Sequence, residues 1–201
     1  MSIYKKVLAE DFSRLHPMLQ KRYAFEEPVF RASGTMNRIT GGPKWLFPLF
    51  LWGARRKFVF PESGTAILFT IVNSSFVSSA GNEEIHWERK FSFPNKTRYF
   101  NALMSLDEKQ MVVKDYLGEP PLFYSDLGFT VEDGGALKIE SLGQRLVLGK
   151  MEISLPKFLQ GLATVVELYD ERSEVFRITV DVKNPLIGTV FSYEGEFTED
   201  A

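Results

Sequence analysis

The spacing of hydrophobic positions changes once along this chain. Near the N-terminus Phe12, Leu15, Leu19 and Tyr23, with Met18, recur at helical intervals. Pro17 interrupts the pattern, and proline is tolerated in a first helical turn but not in an interior. The region 9–25 therefore predicts two helical turns, a bend at His16-Pro17, and a second short helix. From about Arg31 onward the period drops to two. Residues 64–76 are rich in β-branched and aromatic types. Ile85, Trp87, Arg89, Phe91 and Phe93 then alternate with His86, Glu88, Lys90 and Ser92.

Further strands are expected at 97–106, 111–117, 122–131, 136–142, 145–154, 164–169, 175–182 and 187–197. Turn residues separate them, such as Pro94-Asn95, Glu119-Pro120-Pro121 and Asp133-Gly134-Gly135. Many short strands joined by short turns mark an antiparallel sandwich or barrel. An open sheet of this size would leave two unpaired edges, and closure removes them. The expected fold is thus mainly β: a single antiparallel, calycin-like barrel of about eight to ten strands over residues 1–201, with the N-terminal helices across one end. A helix-grip fold would need a long amphipathic C-terminal helix, whereas Thr189, Phe191 and Tyr193 alternate as in a strand. A short helix is expected near 156–162, with Pro156 at its start and Gly161 near its stop. In the hairpin of 164–169 and 175–182, apolar pairing favours Leu168 opposite Phe176, Val166 opposite Ile178 and Glu167 opposite Arg177, with the two charges facing outward.

The 201 residues carry 24 basic and 26 acidic side chains, a balance that argues against disorder and against a nucleic-acid surface. Cysteine is absent, which excludes disulfides, thiolate metal sites and cysteine nucleophiles. Residues 1–11 lack the apolar core of a secretion signal, and 45–52 is far shorter than the ~20 residues of a membrane span. The expectation is a soluble cytoplasmic protein.

Chemistry-bearing motifs are sparse. His16 and His86 have no partner at metal-ligand spacing, so no metal is expected. No Gly-x-Ser-x-Gly elbow and no phosphate-binding loop occur, and neither a catalytic residue nor a cofactor is identified. The sharpest local feature is residues 45–57, where Trp45, Phe47, Phe50 and Trp52 precede Arg55, Arg56 and Lys57. A buried crossover plugging one barrel end is the simplest reading. A lid over the barrel mouth and a peripheral membrane contact are the functional ones, the latter less favoured because Pro48 breaks a long helix.

Leu15-His16-Pro17, Gly34-Thr35-Met36, Trp87-Glu88-Arg89-Lys90-Phe91, the run 122–129, Asn184-Pro185-Leu186-Ile187-Gly188 and Tyr193-Glu194-Gly195 together resemble a bacterial family, domain of unknown function 4166. Members stand alone or follow NAD-binding domains similar to saccharopine dehydrogenase. The resemblance implies no activity. It does imply an accessory role beside a separate NAD-dependent oxidoreductase as one function for this chain, which has no nucleotide fingerprint of its own.

The other function follows from the strands. Several are apolar on both faces, and the 18 phenylalanines favour an apolar interior, either filled by side chains or lined around a ligand. Trp87, Arg89 and Phe91 share one strand face; Arg98 is placed with Phe100, and Asp115 with Met111 and Val113. Should these faces point inward, Trp87, Arg89, Phe91, Arg98, Phe100 and Asp115 would form a small-molecule site; outward, their charges are rim salt bridges. The preferred function is a non-catalytic binding module for an apolar or amphipathic small molecule.

Overall fold

The computed structural model describes residues 2–149 and 151–200. Three short helices, α1 (Ile3–Leu8), α2 (Pro17–Ala24) and α3 (Phe47–Ala54), accompany twelve strands. The strands are β1 (Val29–Thr40), β2 (Gly64–Val77), β3 (Glu83–Phe93), β4 (Lys96–Tyr99), β5 (Ala102–Asp107) and β6 (Val112–Leu117). They continue with β7 (Phe123–Val131), β8 (Leu137–Leu148), β9 (Met151–Ser154), β10 (Leu162–Asp170), β11 (Val175–Asn184) and β12 (Gly188–Glu199). Ten of them close an antiparallel barrel: β1, β2, β3, β5, β6, β7, β8, β10, β11, β12 and back to β1. The β8–β10 pairing makes the closure, so neither strand is left as a free edge there. β4 pairs with β3 outside this path, and β9 pairs antiparallel with the C-terminal part of β8.

The β1–β12 seam is drawn tight by glycine. A Cβ at Gly34 would lie 2.0 Å from the Glu196 carbonyl oxygen, and one at Gly195 would lie 2.3 Å from that of Thr35. Backbone approach this close admits no side chain.

The N-terminal helices cover one end. α1 packs against β5, β6 and β7, and α2 against β10. Apolar Ile3, Tyr4, Leu8, Leu19 and Tyr23 are buried there. Pro17 opens α2, and the His16 ring accepts a hydrogen bond from the Met18 N–H at 3.2 Å, capping the helix. The helical region begins at Ile3, earlier than the expected 9–25, because Ser2 caps a turn that the proline-centred pattern does not reveal.

Other boundaries also differ. The expected strand 97–106 breaks at Phe100-Asn101 into β4 and β5, and 136–142 joins the next segment as one long β8. The helix expected at 156–162 is a single 3₁₀ turn, Lys157–Leu159. In the β10–β11 hairpin the register is offset by one residue: Glu167 lies opposite Ile178 and Leu168 opposite Arg177. Val165 and Glu167 therefore point inward where Val166 and Leu168 were expected, while Phe176, Ile178, Val180 and Val182 face the interior as anticipated. Two ion pairs explain the offset. Arg177 finds Asp170 at 2.8 Å within its own hairpin, and Glu167 meets Arg22 of α2 inside the barrel.

Candidate functional site

The interior is divided. On the side of β2, β3 and β12, aromatic rings fill the space: Phe91 packs against Phe60, Phe69 and Tyr193 with ring centroids 5.1–5.2 Å apart. This accounts for much of the phenylalanine content, and that half of the barrel is a solid core. On the side of β5 to β8, β10 and β11 there is a cavity with about 50 Å³ of room for the centres of water-sized molecules. Its walls are largely apolar, including Met104, Leu127, Ile139, Val165 and Ile178. The polar groups reaching it are few: Arg89, Asp115, Ser141 and Gln144.

Asp115 is 93% buried, as its relative exposure is 7%. Its Oδ1 has no hydrogen-bond partner in the protein. Burial pushes the carboxyl up to about 7, against the opposing charge of Arg89. Arg89 is equally enclosed. Its Nε donates to the Phe100 carbonyl at 2.7 Å, one terminal nitrogen donates to the Tyr193 hydroxyl at 3.4 Å, and its guanidinium lies 4.3 Å from the centre of the Phe100 ring. No carboxylate is within ion-pair distance of Arg89 among the described residues. The cavity thus holds a cation and an acid that share a space without satisfying each other.

A second opening adjoins the first. A groove with about 140 Å³ of similar room runs beneath α3. The two share Phe58, Val59, Gln144, Gly161 and Val182 as lining. A bulge in β8, where Leu142 is extra relative to β7, lets Gln144 follow Ser141 toward the interior. Residues 155–161 then strap this end of the barrel. Gln144 grips the strap by two bonds with the Gly161 backbone, at 3.0 and 3.3 Å. Asn184 holds it as well, its Nδ2 donating to the carbonyls of Phe158 and Gln160 at 2.8 Å each. The carbonyl of the same Asn184 side chain accepts from Leu186 and Ile187, shaping the turn beside the groove.

α3 closes the remaining side. Phe50 is buried, Phe47 is partly buried, and Trp45 and Trp52 are exposed. The helix is tied down through Glu119, whose backbone N–H donates to the Arg56 carbonyl at 2.7 Å. The Glu119 carboxylate pairs with Lys57 at 2.5 Å and accepts from Asn101 at 2.8 Å, with His86 at 2.6 Å. Partial burial pulls this carboxyl upward, but those three contacts outweigh it and hold it down at about 2. His86 therefore works with Glu119 rather than with its strand neighbours Glu84 and Glu88.

Of the six residues named from strand faces, Trp87, Arg89, Phe100 and Asp115 meet at the cavity. Phe91 is buried in the aromatic half. Arg98 lies elsewhere: it sits on β4, outside the barrel path, bonded through two nitrogens to Glu62 at 2.7 and 2.8 Å. The break at Phe100-Asn101 separates it from Phe100's surroundings. Met111 is an exposed turn residue with positive φ, so it does not accompany Asp115. Gln144, Ser141 and Asn184 were not singled out from sequence. Asn184-Pro185 does lie in the closing stretch shared with the resembled family, and that was the one available pointer.

The fold and site define a closed ten-stranded barrel with a mixed polar and apolar chamber at one side. The chain belongs to the family described as Domain of unknown function (DUF4166), whose model matches residues 15–197. It is 39% identical over 200 residues to the uncharacterised protein YndH of Bacillus subtilis strain 168, covering 99% of this chain and 97% of that one. No solved structure matches the chain.

Proposed function

We propose that this protein is a binding module for an amphipathic small molecule, held with its polar group in the cavity and its apolar part in the groove beneath α3. The observation that carries the reading is the buried, unpartnered Asp115 carboxyl sharing a largely apolar chamber with Arg89. Small-molecule sites combine apolar walls with a few convergent polar groups in this way. A head group that donates to Asp115 and accepts from Arg89 would answer both residues at once; a hydroxyl, an amide or a carboxylic acid has that chemistry. The apolar chain would run past Val182 and Phe58 toward Leu49 and Ile187. An accessory role beside an oxidoreductase draws on no residue of this site.

The test is displacement of a fluorescent fatty-acid analogue from protein stripped of lipid, with long-chain acids, amides and alcohols as competitors. Saturable binding is expected, weakened about tenfold or more by Asp115→Leu or Arg89→Met, in line with loss of a hydrogen bond to a charged group. Ile187→Trp, which fills the groove from its rim, should weaken binding without touching the polar pair. Absence of saturable binding by all three classes of amphiphile would overturn the reading.

A further inference from the structure

We propose that the α3 end of the barrel is a docking face for an anionic lipid bilayer. Three segments frame this end: residues 43–57 with α3, the strap 155–161, and the turn 183–188. They are held together by the groove they line and by the bonds of Asn184 to Phe158, Gln160, Leu186 and Ile187. Together they carry six basic side chains, Lys44, Arg55, Arg56, Lys57, Lys157 and Lys183, and no acidic one. The whole chain has more acids than bases, so charge is segregated to this end. Among the described residues, Lys57 is the one of the six in an ion pair, with Glu119.

The same segments expose large apolar side chains. Trp45 is 65% exposed, Leu186 is 76% exposed, and Leu49, Leu51, Trp52, Phe158 and Leu159 are each about half exposed. Clustered apolar exposure of this kind marks an interaction surface. Aromatic and leucine side chains beside unpaired Lys and Arg suit the boundary of a bilayer, where rings enter the headgroup layer and cations meet anionic lipid. Among the described residues no helix is long and apolar enough to cross a membrane; the contact proposed is peripheral. A second copy of the chain fits less well. A two-fold interface brings a patch against itself, and here that would set six cations against six. The docking face stands on exposure and charge, independent of what the barrel interior holds.

The experiment is sedimentation of the full chain with vesicles of phosphatidylcholine, with and without about one-third phosphatidylglycerol. Binding is expected to the anionic vesicles, to fall about tenfold or more on neutral ones, and to weaken with added salt. Tryptophan emission should shift to the blue on binding. Of the three tryptophans, Trp45 and Trp52 are exposed while Trp87 is already buried and cannot contribute. Arg55→Glu with Arg56→Glu, and separately Trp45→Ser with Leu51→Ser and Leu186→Ser, none of which lines the groove, should each abolish sedimentation while thermal unfolding stays unchanged. Equal binding to neutral and anionic vesicles, no binding to either, or concentration-dependent dimers that the same substitutions dissolve would overturn the proposal. The last outcome would make a second copy the occupant. Loss of vesicle binding with fatty-acid binding intact would leave the proposed ligand site standing, so the two readings fail separately.

Discussion

Glu167 Oε1 lies 2.7 Å from Arg22 Nε inside one end of the barrel, with both side chains almost wholly sealed from solvent. α2 brings the cation and β10 the carboxylate. The guanidinium sits among Phe30, Trp87 and Phe197, 4.3 Å from the centre of the Phe30 ring. Tyr23 adds a hydrogen bond to the other Glu167 oxygen at 3.1 Å. Burial pushes the Glu167 carboxyl up and the guanidinium beside it opposes that shift. The pair locks the N-terminal helices to the wall, and its specificity rests on the cost of leaving either charge alone.

Arg22→Met is expected to destabilise the fold by about 3–5 kcal/mol, because Glu167 would remain buried without its partner. Adding Glu167→Leu should restore most of that loss, since an apolar pair of similar volume carries no desolvation cost. Urea unfolding of the two variants provides the comparison. Equal destabilisation in both would show that packing, not charge, sets the cost.

Asp115 makes stability depend on pH in an unusual direction. In the unfolded chain its carboxyl ionises near pH 3.9, whereas in the fold it does so at about 7. Between those values the folded state holds the proton and the unfolded state does not, so stability falls as pH rises through this window. The total loss is on the order of 4 kcal/mol. Asp115→Asn should flatten this stretch of the profile and raise the urea midpoint at pH ~8 relative to wild type. A midpoint for the variant that tracks wild type across the window would refute the assignment.

Two aromatics of the 43–57 segment, Phe50 and Trp45, should behave oppositely. Phe50 is 5% exposed and roofs the groove, so Phe50→Ser should cost about 3–5 kcal/mol. Trp45 points to solvent, and Trp45→Ser should fall within about 0.5 kcal/mol of wild type. Thermal unfolding followed by circular dichroism separates these outcomes. The contrast follows from placement: Phe50 packs inward over the groove, and Trp45 faces solvent.

The hairpin of β10 and β11 shows where reading from sequence stops. Its strands were placed within two residues, and the inward face of β11 was correct. Its pairing was not, because local pairing put Glu167 opposite Arg177. The acid that holds Arg177 is Asp170, at the end of the same hairpin, and the cation that holds Glu167 comes from the opposite end of the chain. The cavity shows the same limit. Trp87 and Arg89 were placed on one face by their alternation, since that relation is local. Arg98 lies outside the barrel wall because a two-residue break after Tyr99 separates β4 from β5, a break that alternation does not reveal.

Side-chain spacing, first helical and then alternating, together with the turn residues determined that this chain would be a closed antiparallel barrel with helices at its start. Those properties act over a few residues, and closure follows from the cost of unpaired edges. Only the tertiary structure decided which half of the barrel is filled by phenylalanine, that Asp115 and Arg89 share a chamber, and that Gln144 and Asn184 strap its mouth. These depend on the order in which strands meet around the barrel and on charges carried in from distant segments. A buried charge selects its partner by proximity in space, across separations that period-two alternation does not encode.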